Sequence, residues 1–338
     1  MSTFQEFEEE LSLTNQVDCE NATRTILSKL RPEWKSSEVT FEYFSVGITN
    51  KIFAAGFGNQ HVIFRVFGHN TNKVIDRENE VIAWRQLAEY GFAAPLYGKF
   101  KNGLICGFLE GKSLQIEQMR DSSFHVKIAR RIAELHASVP TDGKSVMFDK
   151  MRTFLNQFNP KFDEGTRQEF FVQNFPTDLE AEIEKVESKI LKLKEPVGFC
   201  HNDLLVHNIV FNKEKNSIEF IDYEYAFPNY VLYDIANHFC EYAGVEGTPD
   251  YTKCLTRDEK WLFVNDYLRF GKDKVCDLRI VTMFKNLPLF EATSHLFWAL
   301  WALVQAQNST IDFDYLSYAH ARFQQYKTRL QKYESAAH

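Results

Sequence analysis

One stretch limits the fold more than any other. From Phe199 to Tyr225 the chain reads FCHNDLLVHNIVFNKEKNSIEFIDYEY. Its skeleton is His201-x-Asp203-x-x-x-x-Asn208, then an apolar run, a Lys/Asn/Ser turn, a second apolar run and Asp222. Two strands, 208–212 and 218–222, closed by that turn would bring Asn208 and Asp222 side by side. This is the spacing of a phosphoryl-transfer catalytic loop followed by a metal-binding aspartate. Such chemistry is mostly positioning and charge stabilisation. Asp203 would orient an attacking hydroxyl and accept its proton. Asn208 and Asp222 would offer one neutral and one charged oxygen to Mg²⁺, a hard ion that prefers oxygen ligands. His201 is expected to brace the loop through hydrogen bonds.

The rest of the chain fits a small β-rich lobe before this motif and a helical lobe around it. Residues 1–38 read as an acidic helical start ending near Pro32. Segments 40–46 and 51–57 form a predicted hairpin across the turn GITN, and 61–67 a third strand. Residues 76–90 carry Val81, Trp84, Leu87 and Ala88 at helical spacing after an Asp cap, with Gly91 as the stop. Two strands follow near 96–101 and 104–109. Beyond residue 112, helices are predicted over 121–139, 176–195, 257–270, 280–308 and 314–333. The fold class is α+β, a protein-kinase-like two-lobe fold with lobes 1–112 and 113–338. A nucleotide is expected between them, since clefts between domains are favoured ligand sites.

No Walker A or G-x-G-x-x-G sequence is present. The turn Ser45-Val46-Gly47-Ile48-Thr49-Asn50 occupies the place of a phosphate-covering loop, with Ser45, Thr49 and Asn50 as candidates. Arg65 is the basic residue inside the third strand, where a kinase usually has Lys, and Glu80 on the next helix is its expected partner, with Glu78 as a competing one. Trp298 and Trp301, three apart on a helix, share one face. They suit either core packing or a cationic ligand.

A net charge of −7 excludes the basic stripe of a nucleic-acid binder. The six cysteines lie far apart with no CxxC pair, as expected of reduced thiols in the cytoplasm. The acidic start is unlike a signal peptide. The longest apolar run, Leu296–Val304, is about half of a membrane span.

Three further stretches narrow the reading: GITNK with FRVFG, then IDYEYAFPNYVLYDIANHFCEYAG (221–244), then SHLFWALWALVQAQNSTIDFDYLSYAHARF (294–323). With HNDLLVHN they resemble the choline/ethanolamine kinase family over about Phe41 to Tyr326, nearer its ethanolamine kinases than its choline kinases. The resemblance implies ATP-dependent phosphorylation of ethanolamine to phosphoethanolamine with Mg²⁺, the first step of the CDP-ethanolamine route to phosphatidylethanolamine. It implies Asp203 as base, Asn208 and Asp222 as metal holders, and Arg65 on phosphate. Gly107 and Leu109 fall where the family binds adenine, and Tyr225, Glu241, Trp298, Trp301, Phe313 and Tyr318 where it binds the amine. Phe227-Pro228 departs from the family pattern at the pocket rim. Oligomers are common in the family, so a homodimer is compatible. Alternatives on the same fold are a choline or dual-specificity kinase and an aminoglycoside-type phosphotransferase. A binding module without turnover is the alternative from another class.

Overall fold

In the computed structural model, which describes residues 4–12, 14–44, 50–68, 76–244, 249–271, 276–309 and 311–336, strands dominate up to Gly107 and helices thereafter. The chain divides into two compact units, Met1–Asn72 with Trp84–Glu110, and Lys73–Ala83 with Gly111–His338.

The first unit is a six-stranded sheet backed by one helix. Its strands are β1 (Gln5–Phe7), β2 (Thr40–Phe44), β3 (Asn50–Phe57), β4 (Gln60–Phe67), β5 (Leu96–Phe100) and β6 (Gly103–Gly107), in the order β1-β5-β6-β4-β3-β2. All neighbours are antiparallel except β1, which runs parallel to β5. Side chains alternate across a strand. Phe53 and Ala55 on β3 and Val62, Phe64 and Val66 on β4 face one way, into a core with Cys19, Ile26, Leu27 and Leu30 of helix α1 (Gln16–Leu30). Asn15 caps α1 by accepting from the N–H groups of Val17 and Asp18. The helix stops before Pro32, as expected, because the residue ahead of a proline is pushed out of helical geometry. The three-residue strand β1 within the acidic start was not anticipated. It is too short to show alternation and is held by its pairing to β5.

Helix α2 (Arg77–Glu89) spans the division between the units. Asp76 caps it by accepting from the Asn79 N–H at 3.1 Å, and Gly91 ends it at φ +75°. That left-handed conformation suits glycine, which lacks a Cβ.

The second unit holds α3 (Ile116–Met119), α4 (Ser122–Ser138), α5 (Met147–Gln157), α6 (Gly165–Asn174), α7 (Leu179–Ile190), α8 (Val231–Cys240), α9 (Arg257–Phe270), α10 (Asp277–Asn308) and α11 (Tyr315–Ala336). Its strands are β7 (Lys112–Ser113), β8 (Val197–Cys200), β9 (Ile209–Asn212), β10 (Ser217–Phe220) and β11 (Phe227–Tyr230), arranged as β10-β9-β7 and β11-β8. The long helix α10 packs on α8, α11 and α5. By length and composition α10 could cross a membrane, yet 89% of its most apolar stretch is buried inside the protein. That burial makes it a core helix. The departure Phe227-Pro228 lies in β11, where Pro228 sits opposite Phe199 of β8.

Phe64 is fully buried and stacks on Phe53 with centroids 5.3 Å apart. Phe64→Ala is expected to destabilise the protein by about 3–5 kcal/mol, the usual cost of removing a buried ring. A urea titration checks this, and an unchanged midpoint would refute the core assignment.

Candidate active site

The β9–β10 hairpin does the work foreseen for it. Ser217 faces Asn212 and Phe220 faces Ile209. The Ile221 N–H then donates to the Asn208 carbonyl at 3.0 Å, which sets Asp222 next to Asn208. Asp222 follows at φ +67°. That conformation is uncommon for a residue with a Cβ and is typical of functional turns. Asn208 reaches back to Asp203, its Nδ2 donating to the Asp203 carbonyl (2.8 Å) and carboxylate Oδ2 (3.2 Å). Spending Nδ2 on Asp203 leaves the amide oxygen as the atom that could face a cation. Asp203, Asn208 and Asp222 therefore converge.

The loop is held from beneath by a buried carboxylate. Asp234 on α8 accepts the His201 N–H at 2.9 Å and the Asn202 N–H at 2.8 Å, one on each oxygen. His136 Nε2 lies 3.0 Å from Oδ2, and the other His136 nitrogen lies 3.0 Å from the Tyr267 hydroxyl. Burial alone would raise the Asp234 carboxyl, but the His136 hydrogen bond and charge hold it below the usual carboxylate value. Asn202 sits at φ +65°, tolerable for asparagine. Its Nδ2 lies within bonding distance of the carbonyls of Cys200, Tyr225 and Phe227 (3.2, 3.0 and 3.3 Å). It thus ties the loop to the segment after Asp222. His201 behaves as a brace: Nε2 meets the Ile221 carbonyl at 2.9 Å, and Nδ1 accepts the Asp203 N–H at 3.3 Å. Burial keeps it neutral by lowering its pKa.

His136, Cys200 and Asp234 place potential ligand atoms within 4.8 Å of one another. Both Asp234 oxygens are occupied by loop N–H groups, and burial pushes the Cys200 thiol well up. A metal needs the thiolate, so this cluster is read as a brace.

The amine-pocket candidates form one continuous wall. Tyr225 meets Trp298 edge-on (5.1 Å), Trp298 meets Trp301 (5.4 Å), and the Trp301 indole N–H donates to the Tyr225 hydroxyl at 2.7 Å. Trp301 touches Tyr315, Tyr315 touches Phe313, and Phe313 touches Tyr318. Arg322 lies over Tyr318 and bonds Glu241 at 3.1 Å. Trp298 is buried, whereas Trp301, Phe313 and Tyr318 are partly exposed.

The electrostatics of this region ask for cations. Desolvation first, then the charges of Glu241, Asp222 and Glu224, push the Asp203 carboxyl well above its usual value. Arg322, itself buried, sits against Glu241. Arg77 at the start of α2 bridges Glu80 (2.7 Å) and Glu224 (3.5 Å). The oxygens of Asn208 and Asp222 fit the hard-ligand preference of Mg²⁺.

Of the remaining candidates, Ser45 and Thr49 lie outside the described residues, and Asn50 opens β3. Arg65 is buried on β4, on the face opposite Phe64, with Ile52 and Leu104 as its strand neighbours. Gly107 ends β6, its N–H donating to the Pro95 carbonyl at 2.8 Å, and Leu109 follows half-buried. Glu80 is buried on the first turn of α2 with Arg77. Asn202, Asp234, Asn237 and Arg322 were not foreseen. Asn202 bonds Tyr225 and Phe227, 23 and 25 positions on, and Asp234, Asn237 and Arg322 act through contacts more than thirty residues away.

Residues 41–327 match the family model described as choline/ethanolamine kinase. The chain is 36% identical to mouse ethanolamine kinase 1 over 323 residues, covering 91% of this chain and 88% of that protein. It is 32% identical to a probable ethanolamine kinase of Nematostella vectensis, covering 94% and 95%. Among solved structures, an ethanolamine kinase of Plasmodium vivax superposes with a TM-score of 0.82 at 26% identity, covering 94% of this chain and 91% of that one. The fold is thus the protein-kinase-like one.

The braces carry a pH signature. His238 meets the Leu204 carbonyl at 2.9 Å, and burial pulls its pKa from 6.5 down to about 4. The unfolded chain binds that proton first, so the stability it contributes is whole above pH 6.5 and is lost as pH falls towards 4. The contribution is at most roughly 3 kcal/mol. Urea midpoints should drop across that window, and less steeply in His238→Gln. Parallel curves for the two proteins would show that His238 is not held neutral.

Proposed function

Because the chain belongs to the choline/ethanolamine kinase family, we propose that it transfers the γ-phosphoryl group of ATP to the hydroxyl of ethanolamine, giving phosphoethanolamine for the CDP-ethanolamine route to phosphatidylethanolamine. The observation that carries this reading is the meeting of Asp203, fixed by Asn208 at 3.2 Å, with a cation-seeking wall of acids and rings.

The side chains divide the task. Asp203 receives the hydroxyl proton as the oxygen attacks, and the Asn208 amide holds its carboxylate in place. The Asn208 amide oxygen and the Asp222 carboxylate would hold Mg²⁺, which when bound draws off charge developing on the phosphates. Arg65 contributes a planar donor fork for phosphate oxygens, and Glu80, bonded to Arg77, is assigned to the nucleotide as well. Ser45, Thr49 and Asn50 cover the phosphates, and Gly107 and Leu109 receive the adenine.

At the other end, the ammonium group of ethanolamine carries three N–H donors and needs acceptor oxygens. Glu241 and Asp203 supply them, while Tyr225, Trp298, Trp301, Phe313 and Tyr318 enclose the carbon chain and offer ring faces to the charge. Choline has no N–H, so it meets the acids only as a charge and leans more on the rings. The acids therefore favour the primary amine, and the aromatic wall leaves choline as a weaker substrate. The six cysteines are all unpaired, in keeping with a cytoplasmic site of action.

Purified protein with ATP, Mg²⁺ and a panel of amino alcohols tests the proposal. A kcat/KM for ethanolamine above that for choline is expected, and the reverse order would turn the assignment to choline. Asp203→Ala should lower kcat by at least ~10²-fold; full activity in that variant would remove Asp203 from its role. Glu241→Gln should raise the KM for ethanolamine more than that for choline.

A further inference from the structure

Asn237 on α8 is fully buried and joins three parts of the second unit. Its Nδ2 donates to the backbone carbonyl of Asn202, the residue before Asp203, at 3.1 Å. Its Oδ1 accepts two bonds from α10, the Trp298 indole N–H at 2.8 Å and the Ser294 hydroxyl at 2.7 Å. Ser294 Oγ accepts in turn from Arg322 at 3.3 Å, and Arg322 binds Glu241 at 3.1 Å. One amide therefore connects the catalytic loop to both a ring and the acid of the amine pocket.

Packing does not call for an amide here. Most residues of α8 are apolar, and a buried amide is unfavourable unless its hydrogen bonds are made. All three bonds of Asn237 are made, and each goes to an element that bears a residue of the reaction. A bond of this kind fixes distance and direction, whereas apolar contacts allow sliding. The relevant distance is that from the ammonium pocket to the Asp203 carboxylate, which decides whether the hydroxyl of a two-carbon amino alcohol reaches the base.

We propose that Asn237 is a positioning residue that sets the register of the amine pocket against the catalytic loop. It acts through Trp298 and Asn202 without touching substrate. The proposal rests on the reading of Trp298 and Glu241 as amine-pocket residues.

A double-mutant cycle on the full chain tests it. Trp298→Phe removes the indole N–H and keeps a ring. It should raise the KM for ethanolamine about tenfold. Asn237→Leu should lower kcat/KM for ethanolamine by about 10²-fold, the scale of a small misplacement of reacting groups. The KM for ATP should stay within about twofold in both, because the bonds of Asn237 go to Asn202, Ser294 and Trp298 and to neither Asn208 nor Asp222. The double variant should resemble Asn237→Leu alone, since both changes remove one shared bond. Effects that multiply, or a KM for ATP that rises in step with the amine KM, would overturn the proposal in favour of general structural support. If Asn237→Leu does not fold, Ser294→Ala carries the test. It removes one of the two bonds to Oδ1 outside the pocket wall and should raise the amine KM several-fold, and an unchanged amine KM in it overturns the proposal. A wild-type protein without ethanolamine-dependent ADP release refutes the functional reading, and this proposal with it. An active wild type whose variants keep their amine KM refutes the positioning role alone.

Discussion

The second unit depends on one buried carboxylate. Asp234 has no exposure, yet it remains ionised because two loop N–H groups and His136 surround it. An isolated carboxylate in an apolar interior is strongly disfavoured. The protein offsets that cost by directing backbone donors at both oxygens, and in return the loop has one conformation. With His201 and Asn202 pinned from below, Asn202 can hold its left-handed conformation and gather the carbonyls of Cys200, Tyr225 and Phe227. Asp203 follows directly on this arrangement and is only partly buried.

Above the loop the balance of charge runs the other way. Burial first, then the charges of Glu241, Asp222 and Glu224, raise the Asp203 carboxyl, while Arg77 and Arg322 each sit on one edge of the group. Such an excess of acids is unfavourable in isolation. A cation placed among these acids would relieve that repulsion. Arg322 is the check on this design. By bonding Glu241 it holds that carboxylate in position and moderates its charge.

The aromatic richness of the chain finds two uses. In the first unit, Phe53, Phe64 and Phe100 fill the space between the sheet and α1. In the second, the rings from Tyr225 through Trp301 to Tyr318 form a wall in which Trp298 is packed like a core residue and donates its N–H to Asn237. The alternatives of core packing and ligand contact for these tryptophans are therefore not exclusive. Trp298 is fixed by the core, while its neighbour Trp301 stays partly exposed.

Parts of this molecule were legible from the chain alone because they are local. The loop His201 to Asn208, the hairpin ending at Asp222, the capped helix after Asp76 and the strands around Arg65 follow from spacing, alternation and caps within about twenty residues. The resemblance to a family supplied the pocket candidates that local rules could not. Helix α8 showed no stripe because every one of its residues is buried, so periodicity had nothing to mark. The bonds of Asp234 to His201, Asn237 to Trp298 and Arg322 to Glu241 join residues 33, 61 and 81 positions apart. A hydrogen bond depends on distance and direction in space, which only the packing of α8, α10 and α11 decides. The sequence determined which polar groups fall at fixed spacing in the loop and hairpin, and the tertiary structure decided which distant groups hold them in place.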